Sequence, residues 1–224
     1  MNLDISGVDL TGQVAIVIGS EFALSRIIAQ ALESAGAAVA LVVKTERELV
    51  EMTDLIYDTD GRIRIIVADT SNQNAVERVV QNYKDHLGFI TMVVNVVDIA
   101  RLPVSLWQID PDEWSSTLEA NLRRSLLWTK TALPEMVKGG RIINIAASPI
   151  FSRLMSSLIA EAKARGIALF SVDSGADPDL VKRLILFLAA GRADNLSGNF
   201  VQAGDGVIAL TTDIEQSNTL RLHF

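Results

Sequence analysis

The sequence predicts an α/β fold in which helices cover both faces of a doubly wound parallel sheet. The first observation is residues 11–44, TGQVAIVIGSEFALSRIIAQALESAGAAVALVVK, where apolar runs at 14–18 and 38–43 flank an amphipathic helical pattern at 23–34. Parallel strands joined by a helix are buried on both faces and are therefore near-continuous in Val, Ile, Leu and Ala. The second observation is that strand and helix patterns keep alternating along the chain, which is typical of α/β domains.

The later elements are separated by Gly, Pro and Asp turn signals. Strands are predicted at residues 62–68, 90–97, 141–145, 167–172 and 198–203, and helices at residues 46–57, 74–86, 110–136, 154–164 and 177–190. Asp110, Pro111 and Glu113 are typical of a helix start, because Asp110 caps, Pro111 suits the first helical position and Glu113 closes a capping box. The strand at 198–203 is predicted to be the last, followed by a short tail.

Length and composition favour one domain over residues 1–224. Hydrophobic residues make up 49% and the mean hydropathy is +0.30, yet no apolar run reaches the roughly 18 residues of a membrane span. A formal charge of −7 and a pI near 4.9 argue against nucleic acid or an anionic membrane as partner. The chain has no cysteine, which excludes disulfides and thiolate chemistry. Its start lacks the pattern of a signal peptide, so we expect a cytoplasmic protein.

Segments in this order resemble the short-chain dehydrogenase/reductase family. They are DLTGQVAIVIGS (9–20), IDPDEWSSTLEANL (109–122), ALPEMVKGGRIINIA (132–146), RGIALFSV (165–172) and DLVKRLILFLA…LSGNFVQAGDG (179–206). The resemblance covers nearly the whole chain. It implies a Rossmann-type sheet with NAD(P) at the carboxyl ends of the strands, and hydride transfer where the working residues are present.

The phosphate-binding turn departs from the family pattern. TGxxxGxG falls on residues 18–25, where Gly19 is retained while Ala23 and Ser25 replace the two glycines that let backbone and helix pack closely. Glu21 would put a carboxylate at the helix N-terminus that otherwise attracts phosphate. We therefore expect dinucleotide affinity to be lower by about tenfold or more. The alternative is that Glu21 points into solvent as an ordinary first-turn residue.

Three further positions match cofactor-side landmarks of the family. Asn95 begins Asn-Val-Val-Asp where the family has Asn-Asn-Ala-Gly, so bulkier side chains line the ribose passage. Lys44 stands where an acidic residue would bind the ribose of NAD, and would either meet the 2′-phosphate of NADP or be a solvated strand-end lysine. Asp69 matches the adenine-side aspartate, and would equally suit a plain turn.

The catalytic constellation of the family is mostly missing. Asn121 matches the asparagine that holds a proton-relay water, whereas Ser148 lies one place after the serine position. The Tyr-x-x-x-Lys pair is missing, because Gly61 follows Tyr57 at the fourth position and Leu87 follows Tyr83. A tyrosine needs an adjacent cation to bring its pKa down from about 10. Between residues 147 and 165 the chain is shorter than the family usually is by about half a helix plus a loop, and Lys163 is most simply a solvated helix residue.

The elements that pair subunits in the family are retained: the helix at 114–136, the helix at 180–190 and the last strand. Trp114, Leu118, Leu122 and Leu126 mark one face of the first helix at four-residue spacing. The second helix carries an apolar band that is wider than one core face needs, consisting of Leu180, Val181, Leu184, Ile185, Phe187 and Leu188. The alternative for this band is a helix that is fully buried within a monomer.

These observations lead to a hypothesis of a non-catalytic subunit that assembles with a catalytically intact NAD(P)-dependent dehydrogenase, with itself, or with both. The chain is expected to bind no cofactor, or to bind NAD(P) weakly, while the partner subunit holds it. One alternative is an atypical oxidoreductase that uses Ser148, Asn121 and Lys163, with NADP(H) anchored by Lys44. Another is a ligand sensor without turnover. No metal site is expected, because the two histidines are isolated in the sequence.

Overall fold

A computed structural model of the chain describes residues 3–19, 22–54, 61–96, 110–145, 156–173, 177–203, 207–210 and 220–221. The strands are β1 Val14–Gly19, β2 Ala38–Val43, β3 Ile63–Val67, β4 Ile90–Val96, β5 Met136–Ile145, β6 Ala168–Val172, β7 Phe200–Ala203, β8 Val207–Leu210 and β9 Leu220–Arg221. The α-helices are α1 Phe22–Ser34, α2 Glu46–Glu51, α3 Gln73–Leu87, α4 Pro111–Ala132, α5 Ser156–Ala164 and α6 Pro178–Ala189. Short 3₁₀ helices lie at Leu133–Glu135 and Asp194–Leu196.

All the described strands form one sheet in the order β3-β2-β1-β4-β5-β6-β7-β8-β9. Strands β1 to β7 are parallel to one another. This confirms the predicted doubly wound parallel sheet. From β1 the chain adds β2 and β3 on one side and then returns to add β4 on the other side of β1. The crevice in which doubly wound folds bind ligands therefore lies between β1 and β4.

The prediction that residues 198–203 form the last strand is wrong. β8 pairs antiparallel with β7, beginning with Ala203 opposite Val207, and β9 pairs antiparallel with β8. The closely spaced glycines of Gly204-Asp-Gly206 lie between β7 and β8. Residues 204–206 lie outside the described residues. A short glycine-containing link between two apolar runs is a hairpin signal as well as a strand end.

The fourth helix ends earlier than predicted, and the fifth strand starts earlier. α4 ends at Ala132 and not near Met136, because Pro134 has no N–H with which to continue the helical ladder. β5 then begins at Met136, and its pairing with β4 shifts register before Arg141. The second predicted helix is also interrupted, since α2 ends at Glu51. Residues 55–60 lie outside the described residues.

Two apolar clusters cover the two faces of the sheet. Alternate residues of β1 divide between them: Ala15 and Val17 pack with α1 and α6, whereas Ile16 and Ile18 pack with α3, α4 and α5. Because both sides of each central strand are buried, the strands show no alternation of polar and apolar residues. The packing places the carboxyl ends of the parallel strands at one common edge.

The apolar band of α6 is buried within the chain, so its interpretation as a subunit-pairing surface is wrong. The band residues Val181, Leu184, Ile185, Phe187 and Leu188 are each 5% exposed or less. They belong to the cluster that α6 shares with α1 and the sheet. The width of the band reflects burial between two elements, which is the alternative of a buried monomer helix.

Candidate functional site at the carboxyl edge of the sheet

The four predicted cofactor residues lie at the carboxyl edge of the sheet. Gly19 is the last residue of β1 and pairs with Val96 of β4. Lys44 directly follows β2, and Asp69 lies two residues after β3. Asn95 is the penultimate residue of β4. The structure therefore brings these residues to one edge, which is where ligands of doubly wound folds bind.

The turn after β1 is only partly described. Gly19 is half-buried, α1 begins at Phe22, and residues 20–21 lie outside the described residues. The repulsion expected from Glu21 thus stays a prediction. Ser25 is 1% exposed, so its side chain fills interior space where the family pattern has a glycine. Ala23 is exposed on the outer side of the same turn of helix.

Asp69 forms the turn that leads into α3. Its Oδ1 accepts hydrogen bonds from the backbone N–H and the hydroxyl of Ser71, at 2.9 Å and 2.6 Å. These two bonds hold the pKa of the Asp69 carboxyl below its usual value, and the charges of Lys44 and Arg124 lower the same pKa further. Asp69 thus has a turn-forming role in the structure, with two cationic side chains close enough to influence it.

Lys44 and Arg124 are the two cationic side chains whose charges lower the pKa of Asp69. Lys44 is exposed, and its backbone N–H donates to Oε2 of Glu48 at 2.7 Å, which leaves the ammonium group outside that bond. Arg124 is half-buried on α4. Sequence reasoning singled out Lys44 but missed Arg124, whose only signal was its place in the α4 segment that carries Asn121. Lys44 follows β2 directly, and a lysine at a strand edge can bind a phosphate group.

A buried polar row crosses three strands at the same edge. The side-chain amide of Asn95 donates to Oδ1 of Asn144 at 2.8 Å, and Asn144 pairs in register with Ser171 of β6. Asn95, Asn144 and Ser171 are each 2% exposed or less. Asn95 is in register with Ile18, which faces α4, so the row lies under α4. Asn95 is therefore engaged in a link between strands.

Helix α4 turns its polar face toward this row. Its buried residues are Asn121, Ser125, Trp128, Thr129 and Ala132. Trp114 and Leu126 on its outer face are 49% and 46% exposed. The apolar stripe predicted for this helix is thus on the outside, because the sheet beneath α4 is itself polar at this edge.

The remaining catalytic candidates do not meet at this edge. Asn121 is 5% exposed on α4, above the polar row. Lys163 lines a cavity of about 270 Å³ together with Gly140 and Ala168, at the amino end of β6. Ser171 lies three residues after Ala168 on β6, which is about 10 Å along the strand at about 3.3 Å per residue. Lys163 therefore lies at the opposite edge of the sheet, and Ser148 lies outside the described residues.

Tyr83 is buried on α3 and is not at the carboxyl edge. Burial raises the pKa of its hydroxyl to about 12, and the charge of Arg64 opposes this shift. Tyr57, the other tyrosine, lies outside the described residues. Within the described ranges, the carboxyl edge therefore contains no tyrosine paired with a lysine.

Two negative findings concern the described ranges alone. Their His, Asp and Glu side chains form no group of three or more that would suit a metal ion. Their helices include none with both the length and the apolar character needed to span a membrane.

Comparison with known proteins agrees with this architecture. A sequence model of the short chain dehydrogenase family matches residues 13–174. A short chain dehydrogenase of Pseudocercospora fijiensis is 31% identical over 185 residues, covering 74% of this chain and 60% of the relative. This chain thus spans about three-fifths of that relative's length. An uncharacterized oxidoreductase of Staphylococcus aureus is 26% identical over 175 residues, covering 77% of this chain and 74% of the relative.

Solved structures share the fold. A short-chain type dehydrogenase/reductase from Mycobacterium marinum superposes with a TM-score of 0.78 at 20% identity, covering 91% of this chain and 97% of that one. A short chain dehydrogenase from Burkholderia cenocepacia, solved in complex with NADP, gives 0.73 at 21% identity, covering 88% and 98%. With the family match over residues 13–174, this chain belongs to the short-chain dehydrogenase/reductase family.

Proposed function

We propose that this chain is a non-catalytic subunit that assembles with a catalytically intact NAD(P)-dependent alcohol or hydroxyacyl dehydrogenase. The observation that carries the proposal is that no tyrosine and lysine come together at the described carboxyl edge. The sequence contains two tyrosines, and neither is followed by lysine at the fourth position. Reduction of a carbonyl by hydride needs a proton donor at the oxygen, and a tyrosine without a neighbouring cation is too weak an acid at neutral pH.

Lys163 supports the same conclusion. It lies beside Gly140 and Ala168 at the amino edge, whereas Asn121 lies above the carboxyl edge. An oxidoreductase that used Lys163 together with Asn121 would need both at one substrate atom. The geometry therefore disfavours the atypical oxidoreductase built on these residues.

We propose that the cofactor site is vestigial. One relative by fold was solved with NADP, and here Lys44 and Arg124 offer cationic groups for a phosphate. In contrast, the side chain of Ser25 is buried where the family pattern has a glycine, and Asn95 donates its side-chain hydrogen bond to Asn144. We therefore expect this chain to bind NAD(P) weakly or not at all, and the partner subunit to hold the working cofactor.

The outer face of α4 supports assembly. Trp114 and Leu126 are about half exposed at the ends of a stripe in which Leu118 and Leu122 are half-buried. Single exposed apolar residues are common on protein surfaces, but four in line along one helix form a continuous patch. We propose that α4 packs against a second short-chain dehydrogenase chain. Among heteromeric members of the family, the sequence resembles the inactive subunit of the benzylsuccinate-pathway hydroxyacyl-CoA dehydrogenase, although no residue here specifies that substrate.

Co-expression tests this proposal. The chain is produced with an intact short-chain dehydrogenase from the same genome, and the purified complex is assayed for NAD(P)-dependent turnover. We expect a complex of fixed stoichiometry that loses all turnover when the partner's catalytic tyrosine is replaced by phenylalanine. Full activity of this chain alone, or turnover that survives the partner's substitution, would contradict the proposal.

A further inference from the structure

Strand β3 forms one outer edge of the described sheet, where it pairs with β2 alone. The carbonyl oxygen of Arg62 accepts a hydrogen bond from β2 at 2.8 Å, and the N–H of Ala68 donates one to β2 at 2.9 Å. Backbone groups alternate in direction along a strand, so Ile63, Ile65 and Val67 turn their N–H and C=O groups away from β2. These outward groups have no partner strand among the described residues.

A groove runs along this free edge, between β3 and α3. One part has a volume of about 440 Å³ and lies toward the carboxyl end of β3, and the other has a volume of about 190 Å³ and lies toward its amino end. The two parts adjoin, because Ile66 and Asn82 line both of them. Ile65 and Val67 also line the groove, although their side chains pack on the opposite face of the sheet. Their outward backbone is therefore what faces the groove.

This arrangement suits the addition of a strand. In that mode of recognition an extended peptide pairs with a free strand edge, and its alternate side chains enter a neighbouring groove. β3 contains no proline and pairs with β2 without a register shift, so it lacks the proline or bulge that protects many sheet edges. Arg64 is its one charged residue. The edge can therefore accept a further strand along its five residues.

Two arginines give the groove a positive charge. Arg64 lines its amino part and Arg78 lines its carboxyl part, and both residues are exposed. Neither forms an ion pair with a described residue. The chain as a whole has a net charge of −7, so this groove is a local cationic exception in an acidic protein.

The acidic side chains nearby leave this positive charge uncompensated. Asp69 lines the carboxyl end of the groove, but its Oδ1 accepts two hydrogen bonds from Ser71, and the charge of Lys44 also acts on it. Glu77 and Asp85 of α3 do not line the groove, and each accepts a hydrogen bond from a glutamine of the same helix. The electrostatics of the groove therefore favour an acidic segment over a basic one.

We propose that this groove docks an extended acidic segment of a partner protein, which adds to the sheet as a strand beside β3. The outward backbone groups of Ile63, Ile65 and Val67 bond to the main chain of the segment. Carboxylates on alternate residues of the segment lie toward α3, where Arg64 and Arg78 offer charge-assisted hydrogen bonds. The groove is lined by no residue of α4, so docking here is independent of the α4 surface.

A second copy of this chain fits the groove less well. Two β3 strands paired antiparallel about Ile65 would place Arg64 of one copy opposite Ile66 of the other. The two Arg64 side chains would then be diagonal neighbours on one face of the sheet, about 7–8 Å apart. Their like charges repel, so charge favours an acidic partner over self-pairing.

The test titrates the purified full-length protein with a fluorescein-labelled heptapeptide in which glutamate alternates with valine, followed by fluorescence anisotropy. The same peptide with lysine in place of glutamate is the matched control for charge. We expect saturable binding of the glutamate peptide below about 1 mM, and binding of the lysine peptide that is weaker by about tenfold or more. Absence of saturable binding of the glutamate peptide, or equal binding of the lysine peptide, would overturn the proposal.

Methylated peptides test the strand pairing itself. In an added strand, every second N–H points to β3 and the others point away from it. Methylation of one alternate set of peptide nitrogens should weaken binding about tenfold or more, whereas methylation of the other set should change it less than about threefold. Equal effects of the two sets would contradict strand addition.

Two arginine variants assign the binding to this groove. Arg64→Gln and Arg78→Gln should each weaken binding of the glutamate peptide about threefold or more, and the double variant about tenfold or more. Arg165→Gln is the control, because Arg165 is exposed between α5 and β6 and should be neutral for binding. Unchanged affinity in the double variant would contradict the assignment. Self-association of the chain that the peptide abolishes in sedimentation velocity would identify a second copy as the occupant and would overturn the proposal.

Discussion

The side-chain amide of Asn95 donates a hydrogen bond of 2.8 Å to the side-chain oxygen of Asn144 on the adjacent strand. Both residues are 2% exposed or less, beneath α4. Among the described residues, Oδ1 of Asn95 and Nδ2 of Asn144 have no hydrogen-bond partner, so this is the one side-chain bond of the pair there. Asn95 thus links β4 to β5, although the family resemblance implies that it lies at the cofactor.

This link predicts a non-additive effect on stability. Asn95→Leu or Asn144→Leu alone should lower the free energy of unfolding by about 1–3 kcal/mol, because each leaves a buried amide without its partner. The double variant should lose less than the sum by about 0.5–3 kcal/mol, since an apolar pair of similar shape strands no polar group. Urea denaturation of all four proteins measures both quantities. Strict additivity would show that the bond contributes nothing.

Substitution of Gly191 is expected to lower the stability through a steric effect that can be separated from backbone strain. Gly191 and Gly61 both have φ of +77°, but a Cβ at residue 191 would collide with Nη2 of Arg141, whereas a Cβ at residue 61 would have open space. Arg141 forms two hydrogen bonds to Asp194, at 3.1 Å and 3.0 Å.

Gly61→Ala should therefore cost about 1–2 kcal/mol of unfolding free energy through its backbone alone. Gly191→Ala should cost about a further 1–3 kcal/mol, because it also displaces the arginine from Asp194. Thermal or urea unfolding of the two variants side by side measures the difference. Equal losses would mean that the Arg141–Asp194 pair adjusts without cost.

The outer face of α4 predicts an effect on assembly. Trp114→Glu and Leu126→Glu place a charge in the proposed interface, and burial of an unpaired charge is costly. Each variant should shift the mass in sedimentation velocity from the complex toward the single chain, with the helical circular dichroism retained. Val50→Glu is the matched control, because Val50 is 70% exposed on α2 and lies outside the stripe. An unchanged mass for both α4 variants would remove this face from the interface.

The turn at Asp69 predicts a response to acid. The pKa of Asp69 is lowered first by the Ser71 hydroxyl, so Ser71→Ala should raise it toward the usual value near 4. A carboxylate with a lowered folded-state pKa stabilises the protein above its unfolded pKa, and this contribution is lost as the pH falls through the folded value. The stability difference between the parent protein and Asp69→Ala should thus be constant at neutral pH and shrink below about pH 4. Carboxyl NMR titration measures the pKa, and a pKa unmoved by Ser71→Ala would contradict the assignment.

The sequence was most informative where the chain is most deeply buried. β2 was predicted with the bounds Ala38–Val43 that it has in the structure, because parallel strands buried on both faces carry continuous apolar runs. β8 and β9 were missed. These strands are short. β8 depends on pairing with β7, and β9 depends on pairing with β8, and the local pattern of residues does not determine either pairing.

Helix orientation was the second limit of sequence reasoning. Periodicity identified an apolar stripe on α4. It did not indicate that the opposite, polar face of the helix would pack against the polar row of the sheet. For α6 the width of the apolar band suggested a surface, whereas the band is buried between α1 and the sheet. Helical periodicity defines a face, but only tertiary packing decides which face is covered.

The candidate site was predicted in its location and not in its contacts. Gly19, Lys44, Asp69 and Asn95 lie at the expected edge, because strand ends in a parallel sheet are fixed by the strand pattern. The sequence did not indicate Asn144 as the hydrogen-bond partner of Asn95, or Ser171 as the next residue of the polar row. Their signal was one polar residue near the end of each of three apolar strands, and its meaning depends on register, which a single sequence does not specify.

A titration of the purified chain with NADPH and NADH, followed by cofactor fluorescence, decides whether the cofactor site still works. A non-catalytic subunit with a vestigial cofactor site should give a flat titration through the micromolar range for both cofactors. Saturable binding of either cofactor at micromolar concentration, with one site per chain and turnover of a carbonyl substrate by the isolated protein, would contradict it.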